Sequence, residues 1–161
     1  MAVGEIITTF FSGNVLGAVG AAIAIGIAGV SAAKGLEIAG NTAAGATGEK
    51  EENFSSALIL QALPQTQVIY AFIIGILIIL GIMGGNMTPE KGFLSLMAGI
   101  AVGVTGISAV SQGKVASSSI GATAKNVNVK GKVLIFVVMP EIAALFGFVT
   151  AIMLLITGQV F

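Results

Sequence analysis

The sequence predicts an all-α membrane protein: four transmembrane helices, laid out as two tandem helical hairpins over residues 1–84 and 85–161, with copies assembling into a homo-oligomeric ring. Three observations predict this. Of the 161 residues, 56% are hydrophobic and 9% are charged, and the mean hydropathy is +1.06, outside the range of water-soluble domains. The apolar residues gather in four runs, about 13–33, 57–83, 92–110 and 133–157, each reaching the roughly 20 residues that cross a ~30 Å hydrocarbon core. Finally, the second half of the chain echoes the first.

Composition also excludes several functions. The charged residues are seven Glu and seven Lys, which leaves no basic field for nucleic acid. Without Cys or His the chain has no disulfide framework, no thiolate and no imidazole base or ligand. No Gly-rich stretch leads into Lys-Ser or Lys-Thr, so no nucleotide site is expected and the chain itself is expected to be non-catalytic. The remaining chemistry belongs to carboxylate, amide, hydroxyl and backbone groups.

Each run must be helical, because backbone amides in lipid need internal partners and no strand-length alternation suggests a barrel. The first run is lined with Gly13, Gly17, Ala21, Ala24 and Ala28, and the third with Gly99, Gly103, Gly106 and Gly113. Spacings near three and four let two such backbones approach closely. Runs two and four carry Ile, Leu, Phe and Met nearly all round, as lipid-facing helices do. Ordinary bundle packing is one explanation of the glycines; the other is a ring, in which the small-residue helices take the crowded inner circle and the bulky ones the outer circle.

Polar connections are expected at 45–53, 84–91 and 123–132. Lys34 and Lys50 flank the first connection, and Lys114, Lys125, Lys130 and Lys132 the third, whereas the opposite side holds only Lys91. The positive-inside tendency therefore puts the first and third connections in the cytoplasm and both termini outside a cell membrane spanned four times. The first five residues carry no positive charge, unlike the start of a secretion signal, so the first run is expected to stay in the mature protein.

The repeat is explicit. At an offset of 76, Pro64, Gln65, Tyr70 and Phe72 fall on Pro140, Glu141, Phe146 and Phe148; at 77, Gly29-Val30-Ser31-Ala32 falls on Gly106-Ile107-Ser108-Ala109. An even number of spans separates the copies, so they run parallel, unlike inverted transporter repeats. One copy keeps a carboxylate where the other has an amide.

That carboxylate, Glu141, lies nine residues beyond Lys132, roughly 13 Å along a helix and so near mid-membrane. A charge there costs about 2.5–3.5 kcal/mol on insertion scales, and such residues usually mark an ion path; the plainer alternative is a protonated acid bonding between helices. Leu63, Thr66, Gln67 and Tyr70 share one face of run two at i, i+3, i+4 and i+7. The oxygens of Thr66 and Gln67 with a carboxylate suit a hard, weakly bound cation, and the Tyr70 hydroxyl suits a hydrogen bond to Glu141. Gln112, at the end of run three, is a further ligand, a hydrogen-bond partner or an ordinary interfacial glutamine. Pro64 and Pro140 each remove a helix hydrogen bond, which disturbs the backbone near the site and turns the Leu63 carbonyl into a candidate ligand; a plain kink is the alternative.

These residues carry a resemblance. Leu58-Ile59-Leu60-Gln61-Ala62-Leu63-Pro64-Gln65-Thr66-Gln67-Val68-Ile69-Tyr70, Ser111-Gln112-Gly113-Lys114-Val115-Ala116 and Pro140-Glu141 resemble the proteolipid K, or c, subunits of prokaryotic V-type and A-type sodium ATPases, over essentially the whole chain. The resemblance implies a membrane rotor: identical K subunits form a ring that turns with the central stalk and carries ions past a stator subunit in the bilayer. It also implies that Glu141, Leu63, Thr66, Gln67 and Gln112 hold one Na+ per subunit, with Tyr70 bonded to the carboxylate. Gln65 and Pro140 depart from the family pattern beside the ligands. A proton-carrying ring of the same family is the alternative, since Glu141 alone can carry H+. A small multidrug-type exporter fits less well, because its critical acid resides in the first helix.

Overall fold

A computed structural model describes residues 3–161, all of whose regular elements are helical. Met1 and Ala2, and with them part of the expectation about the chain's start, lie outside the described residues. A short helix the sequence reading did not anticipate, α1 (Val3–Phe10), leads into α2 (Gly13–Glu49). Ser12 caps α2, accepting from the Val15 amide, one of the four donors a helix start leaves unpaired.

Next come α3 (Phe54–Ala62), a 3-10 turn at Leu63–Gln65 and α4 (Thr66–Met83); then α5 (Pro89–Thr105), α6 (Ser108–Lys125), α7 (Lys130–Val138) and α8 (Glu141–Thr157). Thr88 caps α5, with Pro89 in the first turn where no amide partner is needed. Gly85, at φ +75°, turns the chain after α4 in the left-handed region glycine tolerates.

Three stretches, Gly13–Glu49, Glu51–Met83 and Pro89–Lys125, are long and apolar enough to cross a membrane, and Val127–Val138 with Glu141–Thr157 makes a fourth if that pair, bent by 40°, is one span. Large hydrophobics stand exposed along the bulky helices, among them Phe72, Ile135, Phe136, Phe146 and Met153. A continuous surface of that kind is sustained by lipid and not by water. The chain is a membrane-embedded helical protein.

Two expectations about the helices are corrected. The helices outrun the apolar runs: α2 continues to Glu49 and α6 to Lys125, so the connections expected at 45–53 and 123–132 shrink to 50–53 and 126–129. Ala, Thr, Glu and Lys in those tails sustain a helix without being apolar enough for a lipid-crossing run. Run three is also interrupted, by a turn at Gly106–Ile107 between α5 and α6. Gln112 therefore sits within the long stretch Pro89–Lys125 and not at its end.

The small-residue helices do pack tightly. α2 lies along α5 and α6, and the contact is so close that a Cβ added at Gly92, Gly99 or Gly113 would run into the backbone of Gly13, Gly20 or Gly35 respectively. The matched glycines rise together along both helices, so the two run parallel. Two apolar clusters fill the interior. One contains Ala24, Ile74, Ile78, Val102 and Leu155; the other, toward the lysine-rich end, contains Ala39, Leu60, Ile120 and Val137. Between them lies a polar layer.

Candidate functional site

The two prolines shape this layer. Pro64 has no amide to donate, so the chain tightens into the 3-10 turn Leu63–Gln65 and α4 restarts at Thr66. Pro140 does the same one repeat later: α7 ends at Val138, and Glu141 is the first residue of α8. Its carboxylate thus lies in the first turn of α8, the positive end of the helix dipole. Gly35 gives α2 room to pass the first kink, since a Cβ there would run into the Ala109 carbonyl and come within 2.9 Å of the Pro64 ring. Gly147 similarly lets α8 close on Thr105 of α5.

The six residues singled out from the sequence meet here. Tyr70 Oη donates to Glu141 Oε1 at 2.7 Å, and Gln112 Nε2 donates to Oε2 at 3.4 Å. Gln112 Oε1 accepts from Gln67 Nε2 at 2.6 Å. Thr66 Oγ1 lies 3.0 Å from the Leu63 carbonyl oxygen and 3.2 Å from Gln67 Oε1. Gln67 and Gln112 are both 0% exposed, so each amide depends on these partners; leaving one unpaired costs about 1–3 kcal/mol.

The chemistry of the donor set is specific. The Thr66 hydroxyl has one proton and two acceptors within reach, and Leu63 O also accepts from the Thr66 amide, so three uncharged oxygens, Leu63 O, Thr66 Oγ1 and Gln67 Oε1, gather here. A hard cation of calcium's size takes oxygens at about 2.3–2.6 Å, so several oxygens gathered this closely suit one such ion. Gln112 is placed differently: it turns its amide nitrogen toward Glu141, so here it is a donor to the carboxylate, while its oxygen accepts from Gln67.

One participant was missed in the sequence. Phe148 of α8 stacks on Tyr70, ring centroids 5.1 Å apart and planes at 27°, and so holds the ring whose hydroxyl bonds Glu141. Its repeat partner, Phe72, is 53% exposed. The pairing of the two in the repeat was visible, but only one of them turns inward.

With this geometry in place, comparison with known proteins is informative. The family model for the C subunit of ATP synthase matches residues 19–78 and 96–154. The A-type ATP synthase subunit K of Methanocaldococcus jannaschii is 42% identical over 142 residues, covering 88% of this chain and 62% of that protein. The chain thus spans somewhat under two thirds of that relative's length. The V-type sodium ATPase subunit K of Enterococcus hirae is 37% identical over 147 residues, covering 91% of this chain and 94% of that protein. The chain belongs to the ATP synthase C-subunit family, among the proteolipid K subunits of A-type and V-type ATPases.

Proposed function

We propose that the chain is the ion-carrying subunit of a membrane rotor ring and that it binds one Na+ at a time through Glu141, Leu63 O, Thr66 and Gln67, with Gln112 joining after amide rotation and Tyr70 fixing the carboxylate. The ion is cargo. The observation that carries this reading is the crowding of three uncharged oxygens beside the layer that holds Glu141. The similarity to the K subunit of the Enterococcus sodium ATPase supports the choice of ion.

The mechanism follows from electrostatics. Sodium neutralises Glu141, so a protomer that is loaded turns through lipid at tolerable cost; an ionised, empty one is costly there and is confined near an aqueous path or a cation on the stator. Loading and unloading thereby gate rotation. ATP chemistry belongs to other subunits, reached through the central stalk. The two segments matched by the family model support the division into tandem hairpins at 1–84 and 85–161, and the lysine distribution supports placing the connections at 50–53 and 126–129 in the cytoplasm, with both termini outside.

Proton transport is the second reading, since the carboxyl of Glu141 alone can carry H+. The whole ATPase, reconstituted in vesicles, tests the function. Glu141→Gln should abolish ATP-driven uptake of radioactive sodium while many-membered rings persist by native mass. Sodium uptake at the wild-type rate in that variant would overturn the rotor reading.

A further inference from the structure

The two connections at the lysine-rich end are conformational copies with opposite charge. Each begins at an extended residue, Lys50 (φ −149°, ψ 122°) or Asn126 (φ −148°, ψ 102°), passes through one 3-10 turn, Glu51–Asn53 or Val127–Val129, and enters the next helix at Phe54 (φ −50°, ψ −54°) or Lys130 (φ −47°, ψ −51°). The first turn carries Glu49, Glu51 and Glu52 against one base, Lys50; the second carries Lys125, Lys130 and Lys132 and no acid. Among the described residues, no hydrogen bond or ion pair joins the acids of the first turn to the lysines of the second.

From this we infer that the acidic first turn of each copy docks on the basic second turn of the next copy, an interaction surface that aligns neighbouring protomers in the ring. The inference rests on the ring reading. α3 packs beside α7 within the chain, so in a ring of parallel hairpins the other flank of α7 meets a neighbour's α3 at the same height. Signs then alternate around the whole circle. An acidic protein or an anionic lipid surface would be drawn to one turn and repelled by the next, whereas a second copy presents both signs in the right order. Exposed pairs are individually weak and screened by salt, but this contact recurs at every interface of a closed ring.

The test uses the full chain in detergent at low salt, with native mass spectrometry as the readout. Two variants are made, Lys130→Glu with Lys132→Glu, and Glu51→Lys with Glu52→Lys, and helical circular dichroism confirms that each folds. Each alone should lose rings at a detergent concentration that leaves wild-type rings whole, and co-expression of the two should restore rings containing both. High salt should dissociate the wild-type ring and shrink the difference. Rings of wild-type stability in each variant alone, or a mixture that fails to recover them, would overturn the docking surface. A wild-type chain that forms only small oligomers would instead overturn the ring reading.

Discussion

The Tyr70 hydroxyl, on the first half of the repeat, donates a 2.7 Å hydrogen bond to Glu141, on the second half. The carboxylate of α8 is thus completed by a side chain of α4. At the repeat-related positions Gln65 replaces the acid and Phe146 the tyrosine, so the duplicated architecture holds one such pair.

Tyr70→Phe removes this bond and keeps the ring. A hydrogen bond to a charged group contributes about 1.5–3 kcal/mol, so the sodium concentration that half-protects Glu141 from a carboxyl reagent should rise about tenfold to a hundredfold. Folding should be unaffected, because the stacking on Phe148 survives. An unchanged half-protection concentration would mean that the bond does not hold the site.

Phe148→Ala removes the surface against which Tyr70 stacks, a contact that contributes about 0.5–1.5 kcal/mol beyond its area. It should weaken sodium protection less than Tyr70→Phe does, by roughly threefold to tenfold. In the double variant with Tyr70→Phe, the two effects on half-protection should not add, since both act through one hydroxyl.

Gln67 and Gln112 should be energetically coupled. Replacing either by Ala leaves the other buried amide short of a partner and should cost about 1–3 kcal/mol; replacing both should cost less than the two single changes together, by about 0.5–3 kcal/mol. Thermal loss of helical circular dichroism in detergent measures all four corners of the cycle. Strict additivity would contradict the shared bond.

Gly35→Ala should destabilise the chain, because its new methyl meets the Ala109 carbonyl and the Pro64 ring; overpacking of this kind costs about 1–3 kcal/mol. Gly45→Ala is the control. No atom lies within 4 Å of a Cβ built there, and Ala inside a helix is favoured over Gly by about 1 kcal/mol. The same thermal measurement should move in opposite directions for the two variants.

Much of this architecture could be read from residue types alone, for physical reasons. In a chain this apolar, a polar side chain must be satisfied by a partner, so Thr66, Gln67, Tyr70 and Glu141 stood out, and the structure brings them together. Helix ends were harder to read. The tails of α2 and α6 are polar yet helical, and a lipid-crossing run measures hydropathy, not helicity. The break at Gly106–Ile107 was hidden because glycine serves close packing and helix interruption equally well. The orientation of the Gln112 amide depends on Gln67, 45 residues away, and that is a tertiary relationship no local pattern contains.

Carbodiimide labelling of Glu141, followed with and without sodium at constant pH, tests the central claim most directly. The reagent attacks the protonated, unoccupied carboxyl, so sodium should slow labelling of the wild type, and Thr66→Val with Gln67→Leu should remove that protection. Equal labelling of the wild type at every sodium concentration would contradict a sodium site and leave Glu141 as a carrier of protons.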